Sequence, residues 1–233
     1  MNRAVWEPRL QRLWYGDSKL AAVLLPLSGV FCALVQLRRA AYRVGLLLAR
    51  RLDARVIVVG NITVGGSGKT PLVLALTRRL RDAGFRVGIL TRGYRGRRTT
   101  WPVQVSAASD PEQVGDEPVL LARNSGAAVV AGPDRVAAGR ALLASSPCDV
   151  LICDDGLQHY ALRRDLEIAV VDAGRVHGNG HCLPAGPLRE PVSRLNTVDA
   201  LVYLGEPAPG AFGFLLRKNS LMPGSSLLDH QEV

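Results

Sequence analysis

The residues most able to do chemistry stand between Val56 and Pro71, in the run VIVVGNITVGGSGKTP. Four apolar residues lead into a glycine-rich turn and then into Gly68-Lys69-Thr70 at the start of a helical stretch. A strand, a loop of exposed backbone N–H groups and a helix N-terminus together make a phosphate cradle. The loop Thr63, Val64, Gly65, Gly66, Ser67, Gly68 is expected to wrap the phosphates of a nucleoside triphosphate. Lys69 would meet the β- and γ-phosphates, and the Thr70 hydroxyl would ligate Mg²⁺. The strict pattern G-x-x-x-x-G-K-[ST] asks for glycine where this chain has Thr63. Gly65, Gly66 and Gly68 still supply backbone freedom.

Acids follow downstream. Val150-Leu151-Ile152-Cys153 is a hydrophobic strand candidate ending in Asp154 and Asp155. In phosphate-loop proteins such an acid lies beside the loop and helps hold Mg²⁺. Gly115-Asp116-Glu117-Pro118 puts two more acids at a helix start, where they complement the helix dipole or accept a proton from an attacking hydroxyl. Thr91-Arg92-Gly93-Tyr94-Arg95-Gly96 follows another strand, on the edge where open α/β sheets bind ligands. Its arginines match phosphate oxygens bidentately, or are simply solvated. The long loop from Gly178-Asn179-Gly180 to Leu183-Pro184-Ala185-Gly186-Pro187-Leu188-Arg189-Glu190-Pro191 is long enough to suggest function without saying which. Of the four histidines, His159 stands nearest to nameable partners.

The elements that must position these residues are strands at Val56–Val59, Val87–Thr91, Ala127–Ala131, Val150–Cys153, Ile168–Val171 and Ala200–Leu204. Helices are expected at Lys69–Asp82, Glu117–Asn124 and Asp134–Ser145, the last capped by Asp134. Near-continuous Val/Ile/Leu runs separated by helices of this length mean right-handed βαβ units. The fold class is α/β, a phosphate-loop NTPase-like, mostly parallel sheet with helices on both faces. Three segments are expected: a basic, apolar N-terminal segment at 1–54, a kinase-like core at 55–205 and an irregular tail at 206–233.

Composition narrows the partners. With 48% hydrophobic and 21% charged residues and no low-complexity tract, the chain is globular. The net charge of +9 is concentrated in residues 1–55, where ten basic residues face three acidic ones and leave +7. That basic segment flanks the apolar stretch LAAVLLPLSGVFCALVQLR rather than interleaving with aromatics, which total 5%. Nucleic acid is therefore disfavoured and an anionic membrane surface favoured. Pro26, Ser28, Gly29 and Gln36 weaken the stretch as a span. A helix lying in the interface, a true span and a core helix with an arginine-rich outer face all remain open. No small-residue cleavage site marks it as a signal peptide. Four scattered cysteines suit reduced thiols in the cytoplasm rather than zinc.

Taken together, GNITVGGSGKTP, TRGYRG, GDEPVLLA, DDGLQHYALRRDLEIAVVD and the GNG and LPAGPLREP segments resemble the tetraacyldisaccharide 4′-kinase family, the lipid A 4′-kinases of Gram-negative bacteria. The matches run in order over residues 55–195, and residues 18–50 resemble the family's membrane-associating helix. The family tolerates a hydroxyl residue at the position of Thr63. The resemblance implies transfer of the ATP γ-phosphoryl group to the 4′-hydroxyl of a lipid-linked disaccharide, tetraacyldisaccharide 1-phosphate, with Mg²⁺. The expected place is the cytoplasmic face of the inner membrane, with no obligate protein partner.

By motif, Lys69, Asp116 and Asp155 are the catalytic set, with Asp116 ranked first as base only by the resemblance. Thr70, Glu117 and Asp154 are the metal set. Arg92, Tyr94, Gln158, His159, Asn179, Arg189 and Glu190 align with substrate-side positions. Family members continue into a second lobe that closes over the nucleotide and brings a histidine to the base. Residues 206–233 are expected to be the start of that lobe, Asp229-His230 being a faint match to it, and the chain as written to be catalytically incomplete. Two rivals share the scaffold. A soluble small-molecule kinase would need no apolar N-terminal helix, and a nucleotide-switched membrane-positioning ATPase would carry a lysine where Val64 stands.

Overall fold

The computed structural model describes residues 13–16, 19–205, 212–217 and 220–223. Asp229 and His230 lie outside the described residues, as do residues 1–12 of the N-terminal segment. In chain order the described elements are α1 (Lys19–Arg43), β1 (Arg55–Gly60), α2 (Lys69–Asp82), β2 (Val87–Thr91), β3 (Val103–Val105) and α3 (Pro111–Val114). There follow α4 (Asp116–Ser125), β4 (Ala128–Ala131), α5 (Arg135–Ser145), β5 (Val150–Asp154), β6 (Leu166–Asp172), a 3-10 turn (Val192–Thr197), β7 (Ala200–Leu204), β8 (Phe212–Arg217) and β9 (Ser220–Pro223).

One nine-stranded sheet runs β3-β4-β2-β5-β1-β6-β7-β8-β9. Only β3 on β4 and β9 on β8 pair antiparallel. The other six pairings are parallel, and strands covered on both faces by crossover helices read as Val/Ile/Leu runs. Alternate residues of β1 divide between the two cores: Val56 and Val58 join Leu142 of α5 and Phe31 and Cys32 of α1. Val59 joins Val73 of α2 and Val119 and Leu121 of α4 on the opposite face. The centre of the sheet places β5 directly beside β1, in a register that sets Asp154 opposite Val59. Asp154, the last residue of β5, and Asp155 after it thus lie where the phosphate loop begins.

The six expected strands and three expected helices all appear, with ends shifted by at most two residues. Three strands went unforeseen. β3 is three residues long, too short for a periodicity to register. β8 and β9 lie in the segment expected to be an irregular tail. β8 pairs parallel with β7, and its sequence, FGFLLR, is a strand-like apolar run set among glycine and proline punctuation.

Helix α1 is two-faced. Ser28 is buried, and Phe31 and Cys32 pack on the core. The Ser28 hydroxyl donates to the Cys182 carbonyl, and Arg39 donates to Thr197 at 2.6 Å. On the outer side Val23, Leu27, Val30, Leu34 and Leu37 are exposed, at 73%, 58%, 57%, 60% and 67%. Their spacing of four and three residues makes one continuous apolar stripe. This is no core helix, since the stripe faces away from the protein. The helix runs through Pro26. The four cysteines are free thiols, three buried and Cys32 half-buried.

Candidate functional site

At the carboxyl end of β1 the chain enters the loop 61–68 and turns into α2 through Gly68, whose φ of 77° is left-handed. No side chain caps α2, so the N–H groups of its first turn are free for an anion. The loop is held from the side by the downstream Pro-Gly segment. Val64 N–H donates to the Pro187 carbonyl at 2.8 Å, and Arg189 N–H to the Ile62 carbonyl at 2.6 Å. Between these bonds Thr63 forms an antiparallel bridge with Leu188. That extended conformation is open to any residue, which explains how the first glycine of the strict motif is dispensable here.

Lys69 is buried at 8% exposure. Its ammonium donates to Asn61 Oδ1 at 3.2 Å and lies 3.5 Å from Asp155 Oδ1. Asn61 in turn donates to the Thr63 hydroxyl at 3.1 Å. Thr70 donates to Glu117 Oε1 at 2.6 Å, joining the first turn of α2 to the first turn of α4. The start of α4 is itself fixed by Gly115, whose φ is 96° and whose Cα lies so close to the Tyr94 carbonyl that a Cβ would clash. The Arg92–Gly96 loop and the Asp116–Glu117 pair are therefore packed as one piece, Arg97 N–H also reaching the Glu112 carbonyl at 2.9 Å. Asp116 itself stands exposed at the mouth of this corner.

Asp154 is fully buried, and both its carboxylate oxygens lack a hydrogen-bond partner among the described residues. Burial, with the Glu117 charge next, pushes its carboxyl well above the usual carboxylate range. The Ser67 hydroxyl, inside the loop, is likewise buried and unpartnered. Burying polar groups this way costs free energy unless something meets them, so the cluster fits a bound cation and phosphate. Asp155 behaves oppositely. Burial pushes it up, but Lys69 and Arg189 outweigh that and hold its carboxyl below the usual range. Arg189 Nη1 reaches both Asp155 oxygens, at 3.2 and 3.1 Å.

Beside the loop opens a cavity of about 350 Å³ lined by Arg92, Pro133, Arg135, Asp155, Gln158, His159 and Arg189. Four of the expected substrate-side residues, Arg92, Gln158, His159 and Arg189, meet there. Glu190 sits just behind, 1% exposed, accepting from Gln158 Nε2 at 3.0 Å. Tyr94 is half-exposed with the Arg95 guanidinium 5.7 Å over its ring, outside the cavity lining. Asn179 is placed elsewhere. Its amide braces the Pro-Gly loop, donating to the Ala185 carbonyl at 2.8 Å, and it does not line the cavity.

Two residues of the site carried too weak a sequence signal to be singled out. Asn61 is one; it follows the strand in the quoted run, but asparagine after a strand usually means only a turn. Arg135 is the other. It is 3% exposed and holds the carbonyls of Gly132 at 3.0 Å and Asp154 at 3.4 Å. It follows Asp134, the helix cap, which accepts from Val136 and Ala137 N–H; the capping signal masked the arginine.

His159 Nε2 accepts the backbone N–H of Arg135 at 3.3 Å. Burial and then the Arg135 charge depress its pKa to about 4, so it is neutral near pH 7. An imidazole whose folded pKa lies below its unfolded value resists protonation only while folded. The unfolded chain binds the extra proton between about pH 6.5 and 4, and stability falls as pH drops through that window. His159→Gln should flatten this acid-side decline in a series of thermal melts. An unchanged pH slope would mean that His159 titrates freely in the folded protein.

Comparison with known proteins follows the same residues. The family model described as Tetraacyldisaccharide-1-P 4′-kinase matches residues 20–221. Tetraacyldisaccharide 4′-kinase of Nitrosococcus oceani is 56% identical over 201 residues, covering 86% of this chain and 60% of that protein. The Pseudomonas paraeruginosa protein of the same name is 48% identical over 216 residues, covering 92% of this chain and 65% of its own length. Among solved structures, LpxK from Aquifex aeolicus in complex with ATP superposes with a TM-score of 0.74 at 37% identity, covering 84% of this chain and 64% of that one. The chain thus spans somewhat under two thirds of the length of these relatives.

Proposed function

Because the chain belongs to the tetraacyldisaccharide-1-phosphate 4′-kinase family, we propose that it transfers the γ-phosphoryl group of ATP to the 4′-hydroxyl of tetraacyldisaccharide 1-phosphate, in the synthesis of lipid A. The observation that carries the reading is the meeting of Lys69, the Thr70–Glu117 pair and the unpartnered Asp154 beside a cavity lined by three arginines. A nucleotide cradle and an anion-binding acceptor cavity share one wall, which is what transfer between two phosphorylated substrates requires.

The loop N–H groups and the α2 N-terminus hold the β- and γ-phosphates, with Lys69 as the point charge between them. Thr70, Glu117 and Asp154 are the residues that would hold Mg²⁺. The ion would neutralise charge developing on the transferred group and its leaving oxygen. The acceptor enters through the cavity, where the Arg92, Arg135 and Arg189 guanidiniums suit the sugar phosphate. Asp155, engaged by Lys69 and Arg189, is a poor proton acceptor. Asp116 has no side-chain hydrogen bond among the described residues and stands beside Glu117, so it is the better base for the attacking hydroxyl. Phosphoryl transfer is mainly positioning and charge neutralisation, and one modest base suffices.

Helix α1 suits an acylated acceptor. Its contacts with the core extend from Ser28 to Tyr42, about 20 Å along the helix axis at 1.5 Å per residue. A helix lying along the protein over that length sits in a membrane interface rather than crossing it. The exposed leucines then enter the lipid while the neighbouring arginines meet anionic headgroups. Free thiols and a nucleoside triphosphate both suit the cytoplasmic side. Replacing Leu27 and Leu34 together by glutamate should abolish sedimentation with anionic vesicles and leave the melting temperature unchanged. Vesicle binding that survives the double substitution would remove α1 as the anchor.

The direct test is transfer of labelled γ-phosphate to tetraacyldisaccharide 1-phosphate in detergent micelles, with the full-length Nitrosococcus oceani relative as positive control. Labelled product from this chain supports the reading. Nucleotide binding without product from this chain, both alone and extended by the part of the control that it does not match, would overturn it under conditions where the control works.

A further inference from the structure

Behind the acceptor cavity lies a cluster of charged side chains that the proposed chemistry does not use. The Tyr160 hydroxyl donates to Glu190 Oε1 and accepts from Arg194 Nε at 3.2 Å. The other Glu190 oxygen accepts from Gln158 Nε2 at 3.0 Å, and the same amide reaches the Asn61 carbonyl at 3.0 Å. Arg194 pairs with both Glu167 oxygens at 2.7 Å, and Arg164 with one of them at 2.9 Å. Arg164 also holds the carbonyls of Leu157 at 3.0 Å and His159 at 2.5 Å. Arg194 and Glu190 are each 1% exposed, so these are desolvated interactions with a defined geometry.

Helix α1 grips this cluster from outside. Arg38 donates to the Gln158 carbonyl at 3.2 Å, and its guanidinium lies over the Tyr42 ring at 5.5 Å and the Tyr160 ring at 5.8 Å. The Tyr42 and Tyr160 rings themselves lie 5.9 Å apart. Arg39 and Arg194 both bond the Thr197 hydroxyl, at 2.6 and 2.8 Å. The turn from Leu157 to Tyr160 is therefore held by α1 on one side and by buried ion pairs on the other. That turn presents Gln158 and His159 to the cavity, which Arg189, the neighbour of Glu190 in sequence, also lines.

We propose that Tyr160 is a positioning residue through which helix α1 sets the acceptor side of the site, so that seating of α1 on a lipid surface orders Gln158, Glu190 and the neighbouring Arg189. Its ring reads the position of the helix, and its hydroxyl passes that position to the carboxylate that fixes Gln158. The hydroxyl remains a donor throughout the working pH range, because burial and then the Glu190 charge push its pKa to about 12. On the nucleotide side this chain of contacts meets the backbone carbonyl of Asn61 and, through Arg189 and Asp155, Lys69, while the loop N–H groups and the Thr70–Glu117 pair lie outside it. The inference rests on reading the cavity as the acceptor site.

Two measurements decide it, both on the whole chain in micelles. In the first, Tyr160→Phe keeps the ring and its arginine contacts but loses the hydroxyl. The KM for tetraacyldisaccharide 1-phosphate should rise about tenfold, with the KM for MgATP and the melting temperature nearly unchanged. Equal changes in both KM values, or none, would overturn the proposal. In the second, hydrogen exchange is followed in Arg38→Ala and Arg38→Lys. Amides of residues 157–162 should exchange about tenfold faster in the alanine variant, partly recover in the lysine variant, and leave residues 65–70 unaffected. Exchange unchanged at 157–162 would overturn it even if the wild-type chain turned over no acceptor. Absence of wild-type turnover would bear on the kinase reading alone.

Discussion

Lys69→Ala should lower affinity for MgATP by at least about a hundredfold, the scale on which a buried charge loses its partner. The ammonium is nearly enclosed, and its neighbours Asn61 and Asp155 are aimed at it. Without it two acids, Asp154 and Asp155, would face the triphosphate with only Arg189 and Arg135 nearby to offset them. The fold should survive, because Asp155 keeps its two contacts to Arg189. Calorimetric titration with MgATP, alongside a melt of the nucleotide-free protein, checks both halves. Unchanged nucleotide affinity in a folded variant would sink the phosphate-loop assignment.

Asp154→Asn should move stability and function in opposite directions. A buried carboxylate with no partner is costly to ionise, and an amide of the same shape removes that charge. The nucleotide-free variant should therefore be more stable by about 1–3 kcal/mol, raising Tm by roughly 2–10 °C for a chain of this size. Turnover should fall by about a thousandfold if the carboxylate holds the ion. The sign with pH follows from the direction of the shift. A folded pKa raised above the unfolded one imposes its penalty at high pH and releases it as pH falls through the folded value. The stability gap between variant and wild type should thus narrow on acidification. Added Mg²⁺ and ATP should stabilise the wild type far more than the variant. A less stable Asp154→Asn protein would mean that the carboxylate has a partner and is not waiting for a cation.

Much of this arrangement was legible in the residues, and the parts that were not share a physical reason. The parallel core is written as strands buried on both faces, so Val87–Thr91 and Ala200–Leu204 could be bounded to the residue. The phosphate loop and the acids after β5 are local patterns, and β5 pairing directly beside β1 joined them as expected. What stayed hidden depends on long-range contact. Asn61 matters only because Lys69 folds back on it eight residues later. Arg135 enters the site because its guanidinium reaches from the start of α5 to the Asp154 carbonyl at the end of β5. Tyr160 looked like an ordinary aromatic between His159 and Ala161 until the helix some 120 residues upstream was laid across it. The face of α1 was undecidable for the same cause: its composition fits a core, an interface or a span, and only the docking of Ser28 and Arg39 picks out the stripe left bare. Asn179 lies away from the cavity beside the phosphate loop. Its place in a conspicuous Gly-Asn-Gly gave no sign that its amide braces the Pro-Gly loop.

The bridge between Thr63 and Leu188 bears on how such loops drift over generations. Where the loop's first position is stapled into a strand pair, side-chain identity there is answerable to sheet propensity rather than to turn geometry. Gly68, with its left-handed backbone directly ahead of the helix, enjoys no such latitude. A lineage with this staple can let the opening glycine mutate freely among β-branched residues while the last one stays frozen. The familiar signature then erodes from its front end, and a scan that insists on both glycines will pass over working descendants.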